Sequence, residues 1–294
     1  MLADKTLILA GAGNGLGRYA AEHLADLGAT VVVNDLGASV TGEGSDPAVA
    51  EAVAETITES GGDAIPHHGD VADPEDATDL VETTVDAYGR VDGIANFAGI
   101  LRDGWIPNLS DDDWAEALRA NLGTNFALLR AAVRHWRGYE EPLEDQRAYL
   151  AMSSMGALGN PGQLNYSASK AGVLGFVRSA STELWDQNVR VNALVPSGFT
   201  RMTATVPEAH RPYTREEMPP ERVAPMVAYL LADAAEDVTG CTLYAGGDRI
   251  GIFSDPTMER SAFQPGGWSA EEIADQMDGD LGSDVELTRT ERYL

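Results

Sequence analysis

Lysine is almost missing from this chain of 294 residues. Twenty residues are basic, but only Lys5 and Lys170 are lysines, whereas 47 residues are acidic. The formal net charge of −27 is opposite to the charge that a polyanion-binding protein needs, so we expect no nucleic-acid partner. Lysine has a long apolar stem, carboxylates hold water and cations, and concentrated salt screens repulsion between carboxylates. The composition predicts adaptation to high salt, with an ordinary acidic enzyme as the alternative.

Cysteines, metal-ligand motifs and long apolar runs are also scarce. Cys241 is the single cysteine, which excludes an intrachain disulfide and a cysteine-based metal site. The five histidines show no HExxH-like spacing, so we predict no metal centre. The apolar run at residues 6–11 is too short to cross a membrane and lacks the basic flank of a signal peptide. We expect a cytoplasmic protein with no membrane partner.

The chain does contain a regular alternation of strand-like and helix-like segments. Its hydrophobic content of 44% is enough for a sizeable core in one large domain. The alternation predicts a single Rossmann-type, doubly wound parallel sheet of about seven strands with helices on both faces. We assign residues 1–250 to this domain and residues 251–294 to an acidic C-terminal extension. Phe263 and Trp268 are expected to dock part of the extension on the core or on a neighbouring subunit.

A glycine-rich turn joins the first apolar run to the first helical segment. Three of its positions are glycines, which have no side chain: Gly11, Gly15 and Gly17. Such a turn lets the backbone approach a pyrophosphate at a helix N-terminus, although it can equally be a tight strand–helix connection. Asp35 ends the second strand, where an acid accepts hydrogen bonds from an adenosine ribose and repels a 2′-phosphate. Because Asn14 and Leu36 add no cation for that phosphate, we predict that NAD is preferred over NADP.

Tyr166 and Lys170 are four residues apart, so in a helix both side chains lie on the same face, one turn apart. A phenol with a pKa near 10 is a poor base at neutral pH, and lowering that pKa to about 7 requires roughly 4 kcal/mol. One cation about 4 Å away supplies about that much at an effective dielectric constant of 20. Arginine replaces lysine almost everywhere else, so we interpret Lys170 as a chemical requirement. A bare Tyr-x3-Lys pair is more often a surface lysine beside a half-buried tyrosine, and the context has to decide.

That context resembles the short-chain dehydrogenase/reductase family over about residues 4–250. The matching positions are Gly11-x3-Gly15-x-Gly17, Asp70-Val71, Asn96-x-Ala98-Gly99, Asn121, Ser153 and Tyr166-x3-Lys170. Ser153 fits the family's catalytic serine better than Ser154 does. The sequence departs from the family at Ala10, where a threonine is usual, and at Ser197, which displaces the usual Pro-Gly. Within the family it is most similar to the (3R)-hydroxyacyl-CoA dehydrogenase unit of peroxisomal multifunctional enzyme type 2 and its stand-alone prokaryotic relatives.

The resemblance implies a role for each motif. Tyr166 would exchange a proton with the substrate oxygen, and Ser153 would hold that oxygen. Lys170 would lower the pKa of Tyr166 and hold the nicotinamide ribose, while Asn121 would hold a water of the proton relay. The cofactor would contact Gly11, Gly13, Asn14, Gly15, Leu16, Gly17, Asp35, Asp70, Val71, Asn96, Ala98, Gly99, Tyr166, Lys170, Pro196, Gly198 and Thr200. The family also implies a homodimer or homotetramer.

The resemblance further implies an NAD-dependent oxidoreductase that interconverts a secondary alcohol and a ketone. The substrate would be a 3-hydroxyacyl or 3-oxoacyl thioester, most simply an acyl-CoA. A hydroxysteroid or other alcohol dehydrogenase is one alternative, and a dinucleotide sensor without turnover is another. Residues 204–220 either close over the substrate or form a passive surface loop. Three arginines in or beside this segment either meet CoA phosphates or pair with nearby acidic residues; they are Arg201, Arg211 and Arg215.

Overall fold

A computed structural model describes residues 1–137 and 145–283 of the chain. The strands are β1 (Thr6–Ala10), β2 (Thr30–Asn34), β3 (Asp63–His67), β4 (Gly93–Asn96), β5 (Arg147–Met152), β6 (Val189–Ser197), β7 (Thr242–Gly246) and β8 (Arg249–Ile252). They form one sheet in the order β3-β2-β1-β4-β5-β6-β7-β8. Strands β1 to β7 pair in parallel, and β8 pairs antiparallel with β7. The predicted doubly wound parallel sheet is confirmed.

The antiparallel edge strand β8 was not expected from the sequence. It follows β7 through a tight turn at Gly247, which has a φ of +54°, and it covers the single side of β7 that remains open. All four residues of β8 are exposed. A strand without a buried face leaves neither the continuous apolar run of the central strands nor a clear alternation, so no sequence signal marked it.

Helices from residues 1–253 cover both faces of the sheet. The helices of the described residues are α1 (Gly15–Asp26), α2 (Ala48–Glu59), α3 (Pro74–Tyr88), α4 (Asp111–Leu118), α5 (Thr124–Trp136), α6 (Leu164–Leu184), α7 (Arg201–Ala204), α8 (Ala224–Leu231) and, after residue 253, α9 (Ala270–Asp278). One core cluster joins α1, α2 and α8 to the sheet through residues such as Leu24, Val53 and Val227. The other joins α3, α5 and α6 through Leu80, Leu128 and Val177. The central strands are buried on both faces, which explains why they are largely apolar, with unbroken runs of valine, leucine and isoleucine in β1 and β2.

The segment from α4 to α5 is not one regular α-helix, although its sequence predicts one. The sequence of residues 112–136 is typical of one continuous helix, but the turn Arg119–Gly123 is π-helical. A π-turn inserts one extra residue into an α-helix, and such turns are frequent at functional sites. Asn121 lies at its centre and is buried. The π-turn therefore sets the direction of the buried Asn121 side chain, which a regular α-helix would direct elsewhere.

The chain divides into two compact units, Met1–Phe253 and Ser254–Leu294. The first unit holds the whole sheet. In the second, α9 begins with a capping box in which Ser269 and Glu272 satisfy each other's backbone N–H groups. Phe263 is exposed in the single chain, and docking of the extension stays a prediction. Its last residues, 284–294, lie outside the described part. No helix in the described ranges is long and apolar enough to cross a membrane.

Candidate active site

A groove opens at the carboxyl ends of β1, β2, β4, β5 and β6. The strand order reverses at this place, because β1 lies between β2 and β4. Crevices at such switch points are the usual ligand sites of open α/β sheets. Most of the residues that the sequence singles out line this groove, although they come from eight separate stretches of the chain.

The glycine turn forms the floor of the groove beside the start of α1. Gly11 has a φ of +69°, and a Cβ there would lie 2.5 Å from the backbone nitrogen of Ala98. A Cβ at Gly17 would lie 2.5 Å from the Gly11 carbonyl oxygen. A Cβ at Gly15 would instead face the Thr200 side chain at 3.4 Å. The missing side chains thus let α1 approach β1 closely and leave its first N–H groups directed at the groove.

The carboxylate of Asp35 stands at one rim of the groove in a fixed orientation. Its Oδ2 accepts a hydrogen bond from the backbone N–H of Gly13 at 2.8 Å, and its Oδ1 accepts one from Gly37 at 2.7 Å. Asp35 is buried. Each of the two oxygens has a further lone pair that could accept a hydrogen bond from a hydroxyl group. Leu36 next to it is also part of the lining and brings no charge.

A second carboxylate, that of Asp70, is held by an arginine that the sequence reasoning missed. The Oδ1 of Asp70 accepts from the Ala72 N–H at 3.0 Å, and its Oδ2 accepts from Arg119 Nη1 at 2.8 Å. Arg119 also donates two hydrogen bonds, at 2.7 and 2.8 Å, to Glu116. Arg119 and Glu116 line the groove. Their i,i+3 spacing marks an ion pair in the sequence, but nothing in it links them to Asp70.

Asn121 is locked in place by backbone groups. Its Nδ2 donates to the carbonyls of Ile100 at 3.0 Å and Ala117 at 2.9 Å, and its Oδ1 accepts from the Ile100 N–H at 3.2 Å. A Cβ at Gly99 would clash with this Oδ1 and would lie 3.6 Å from Lys170 Nζ. The absence of a side chain at Gly99 therefore leaves a gap between the amide of Asn121 and the ammonium of Lys170.

Tyr166 and Lys170 lie in the first two turns of α6 and both line the groove. The Nζ of Lys170 is 5.7 Å from the centre of the Tyr166 ring and donates a hydrogen bond to the Met152 carbonyl at 2.9 Å. Ser153, at the end of β5, donates to the Lys170 carbonyl at 2.8 Å. The four-residue spacing thus brings phenol and amine together, and β5 brings the serine to the same wall.

Burial dominates the protonation of this pair. It raises the pKa of the Tyr166 phenol, with a smaller upward contribution from the charge of Asp103, while a hydrogen bond with Ser154 acts in the opposite direction. Burial also lowers the pKa of Lys170 to about 8. In the protein chain alone the pKa of the Tyr166 phenol is therefore raised, and its lowering by Lys170 stays a prediction. Burial therefore disfavours the charged form of each group, although a lysine with a pKa of about 8 is still mostly protonated at pH 7.

Sixteen of the residues predicted for catalysis or cofactor contact line the groove. They are Gly11, Asn14, Gly15, Leu16, Gly17, Asp35, Asp70, Val71, Ala98, Gly99, Asn121, Ser153, Tyr166, Lys170, Pro196 and Thr200. Gly13, Asn96 and Gly198 lie behind this lining. Asn96 accepts from the Ala98 N–H at 3.1 Å, and a Cβ at Gly198 would lie 2.9 Å from both Leu16 and Pro220. These three positions shape the backbone that carries the lining.

The loop at residues 37–47, to which the sequence assigned no role, also belongs to the groove. Ala38, Ser39 and Gly42 are part of its lining. The backbone N–H of Leu101 donates to the Val40 carbonyl at 2.9 Å, which ties the loop to the segment after β4. Its polar, glycine-rich composition signalled a loop but not the segments to which that loop attaches.

The fold and the groove define a doubly wound α/β protein with its ligand site at the strand switch point. A family model described as enoyl-(acyl carrier protein) reductase, of the short-chain alcohol dehydrogenase type, matches residues 11–247. The chain belongs to the short-chain dehydrogenase/reductase family, whose members use a nicotinamide dinucleotide. The residues present fit such a cofactor: a turn without side chains, free helical N–H groups and the fixed acceptor carboxylate of Asp35.

Several relatives are about one-third identical to this chain over the aligned residues. It is 37% identical to the short-chain type dehydrogenase/reductase Rv0148 of Mycobacterium tuberculosis, over 86% of each chain. It is 37% identical to mouse peroxisomal multifunctional enzyme type 2, over 80% of this chain but only 31% of that enzyme. It is 33% identical to the hydroxyacyl-CoA dehydrogenase ChsB1 of M. tuberculosis, over 88% of this chain and 82% of that one. The predicted resemblance is confirmed.

A solved structure supports the same conclusion for the fold. The crystal structure of a short chain dehydrogenase from Mycobacterium avium aligns with a TM-score of 0.83 at 32% identity. The alignment covers 96% of this chain and 95% of the other.

Proposed function

We propose that this protein is an NAD-dependent oxidoreductase that interconverts a 3-hydroxyacyl thioester and the corresponding 3-oxoacyl thioester, with CoA as the carrier. The observation on which this depends is the placement of Tyr166, Lys170 and Ser153 on one wall of a groove whose floor is the glycine turn. The substrate class is supported by the similarity to ChsB1, whose name states that it is a hydroxyacyl-CoA dehydrogenase.

The side chains of the site divide the chemistry with the cofactor. When bound, the nicotinamide supplies or accepts the hydride. In ketone reduction, Tyr166 gives its hydroxyl proton to the substrate oxygen as the new C–H bond forms; in alcohol oxidation, the phenolate takes that proton back. Lys170, buried next to the ring, replaces the proton that Tyr166 has given away. The Ser153 hydroxyl can turn from the Lys170 carbonyl to hold the substrate oxygen.

The preference for NAD over NADP is part of this proposal. The carboxylate of Asp35 is buried and already oriented by two backbone N–H groups. A 2′-phosphate at this rim would meet a fixed negative charge. A cytoplasmic location and assembly into a dimer or tetramer are also proposed. Trp114 on α4 and Phe126 on α5 are exposed apolar side chains that such an assembly would cover.

One assay tests the proposed reaction. The purified protein is given 3-hydroxybutyryl-CoA, a longer 3-hydroxyacyl-CoA and a hydroxysteroid, each with NAD⁺ and with NADP⁺, while reduced nucleotide is followed at 340 nm. We expect the highest kcat/KM with a hydroxyacyl-CoA and NAD⁺. The discrimination against NADP⁺ should be at least about tenfold, because one unfavourable charge contact of about 1.4 kcal/mol has that effect.

Each other result has a defined meaning. A higher kcat/KM with the hydroxysteroid would overturn the acyl-CoA assignment and favour the alternative substrate class. Binding of NADH without turnover across a broad alcohol panel would favour a dinucleotide sensor. Equal kcat/KM with both nucleotides would overturn the role given to Asp35.

We also propose that the protein is adapted to concentrated salt. Its formal charge is −27, and its exposed carboxylates repel each other in dilute buffer. Thermal unfolding midpoints measured between 0.1 and about 3 M KCl should rise by several degrees, with much of the rise below about 1 M, where screening becomes nearly complete. Sucrose serves as the control, because it is excluded from protein surfaces without screening charge. A midpoint that is highest at 0.1 M KCl would refute the adaptation.

A further inference from the structure

Three basic side chains line the groove within the described residues. They are Arg119, Lys170 and Arg201, and they face the acidic side chains of Asp35, Asp70 and Glu116. A dinucleotide brings a pyrophosphate with two negative charges into this acidic protein. The helix N-terminus at the glycine turn offers N–H groups and only about half a unit of positive charge. A cation that is free to pair with the pyrophosphate would add to the attraction of this helix N-terminus.

Two of the three cations already have other partners. Arg119 pairs with Asp70 and Glu116 at 2.8 and 2.7 Å. Lys170 donates to the Met152 carbonyl beside Tyr166, at the catalytic end of the groove. Arg201 differs from both, since its one hydrogen bond runs from Nη1 to the Ala38 carbonyl at 3.1 Å. No carboxylate in the described ranges forms an ion pair with it.

Arg201 lies beside the glycine turn, where a pyrophosphate is expected to bind. Thr200, which precedes it, has its methyl group 3.4 Å from the place of a Cβ at Gly15, the first residue of α1. Ala38 follows β2, three residues after Asp35. The Arg201 side chain therefore joins the segment after β6, beside the start of α1, to the loop at residues 37–47. Those two segments are 163 residues apart in sequence.

The present partner of Arg201 is a neutral acceptor. A hydrogen bond from a guanidinium to a phosphate oxygen is charge-assisted and stronger than one to a backbone carbonyl, and a guanidinium can use two N–H groups for it. With five donors, Arg201 can also bind phosphate and keep the Ala38 carbonyl.

We propose that Arg201 is the cationic contact of the cofactor's pyrophosphate and joins the segment after β6 to the loop at residues 37–47 over the bound dinucleotide. This inference depends on the proposed function, because it requires that a dinucleotide binds in the groove. It replaces the sequence-based interpretation in which Arg201 meets the phosphates of CoA.

The test is a binding titration, which requires no turnover. Dissociation constants of NADH, ADP-ribose and adenosine are measured by calorimetry for the wild type and for Arg201→Met. We expect NADH and ADP-ribose to bind at least about tenfold more weakly to the variant, the range for losing a hydrogen bond to a charged group. Adenosine, which has no phosphate, should bind equally to both proteins. Rising KCl should weaken ADP-ribose binding less in the variant than in the wild type.

Three further variants separate charge from position. Arg201→Lys keeps the charge and should recover part of the affinity, whereas Arg201→Gln keeps a donor for the Ala38 carbonyl and should not. If Arg201→Gln recovered the affinity and Arg201→Lys did not, the inference would be overturned. An uncharged hydrogen bond between the two segments would then explain the role of Arg201. Arg18→Met is the matched control: it removes the same charge from α1, where Arg18 pairs with Glu22 outside the groove lining. It should leave all three dissociation constants unchanged.

The failures are distinguishable. A wild type that binds neither NADH nor ADP-ribose would overturn the proposed function together with this inference. A wild type that binds both, with an Arg201→Met variant that binds them equally well, would overturn only the inference. A variant with unchanged NADH affinity but a raised KM for acyl-CoA would restore the CoA-phosphate interpretation.

Discussion

Replacing Tyr166 with phenylalanine is expected to lower the turnover of a 3-hydroxyacyl-CoA by about a thousandfold, the central value for loss of a general acid or base. The ring would still fill its place, because Gly156 packs against it: a Cβ at Gly156 would lie only 3.2 Å from the ring edge. Only the proton that moves to and from the substrate oxygen is lost. Steady-state rates at saturating NAD⁺, measured across pH, would show the loss together with a flattened pH profile.

The binding of NADH should change little in this variant, by less than about threefold, since the loss of one hydrogen bond has roughly that effect. Tyr88→Phe is the control, because Tyr88, at the end of α3, donates to Asp63 at the start of β3, and neither residue lines the groove. It should retain full turnover. If Tyr166→Phe kept more than a tenth of the wild-type rate, another group would be the acid, and the assignment of the whole site would fail.

Much of this site could be predicted because its pieces are local. A strand, a glycine turn and a helix follow one another in the chain, and Tyr166 and Lys170 share a helix face through their spacing alone. The order of alternating strands and helices then brings the carboxyl ends of separate strands to one edge. Asp35 and Ser153 reach the groove in this way without any local sequence signal between them.

Contacts between distant segments could not be predicted. The bond from Arg119 to Asp70 joins the π-turn to the end of β3, and the bond from Arg201 to Ala38 joins two loops. No spacing rule relates such residues, because their distance depends on how the intervening strands are arranged. The edge strand β8 and the π-turn at Asn121 likewise result from tertiary packing that overrides local preference.

The ionisation of Tyr166 illustrates the same limit. Spacing alone indicated a neighbouring cation, and a cation lowers the pKa of a phenol. The structure adds the burial of both groups, and burial opposes charge on each of them. A pair of this kind is costly to keep in a folded protein. The cost is therefore expected to appear in the stability of the protein as well as in its activity.

Replacing Lys170 with methionine should stabilise the protein while removing most of its activity. The pKa of Lys170 is about 8 in the folded chain, against an ordinary value of 10.5. The folded state therefore disfavours the ammonium, and the cost is complete below pH 8 and absent above about pH 10.5. The difference corresponds to about 3 kcal/mol, less about 1 kcal/mol for the lost bond to the Met152 carbonyl. Chemical denaturation at pH 7 should show a net gain of about 2 kcal/mol.

The pH dependence distinguishes this effect from a general improvement in packing. Between pH 8 and 10.5 the unfolded state binds more protons than the folded one. Lys170 should therefore contribute a rise with pH in the free energy of unfolding of the wild type, and Lys170→Met should lack this rise. The only other lysine provides the control: Lys5 pairs with Asp233 at 2.7 Å, and Lys5→Met should lose at most about 1 kcal/mol and keep its activity. A Lys170→Met protein that is less stable than wild type at pH 7 would show that the ammonium is not buried at a cost. In that case Lys170 would serve mainly as a structural tie between α6 and β5.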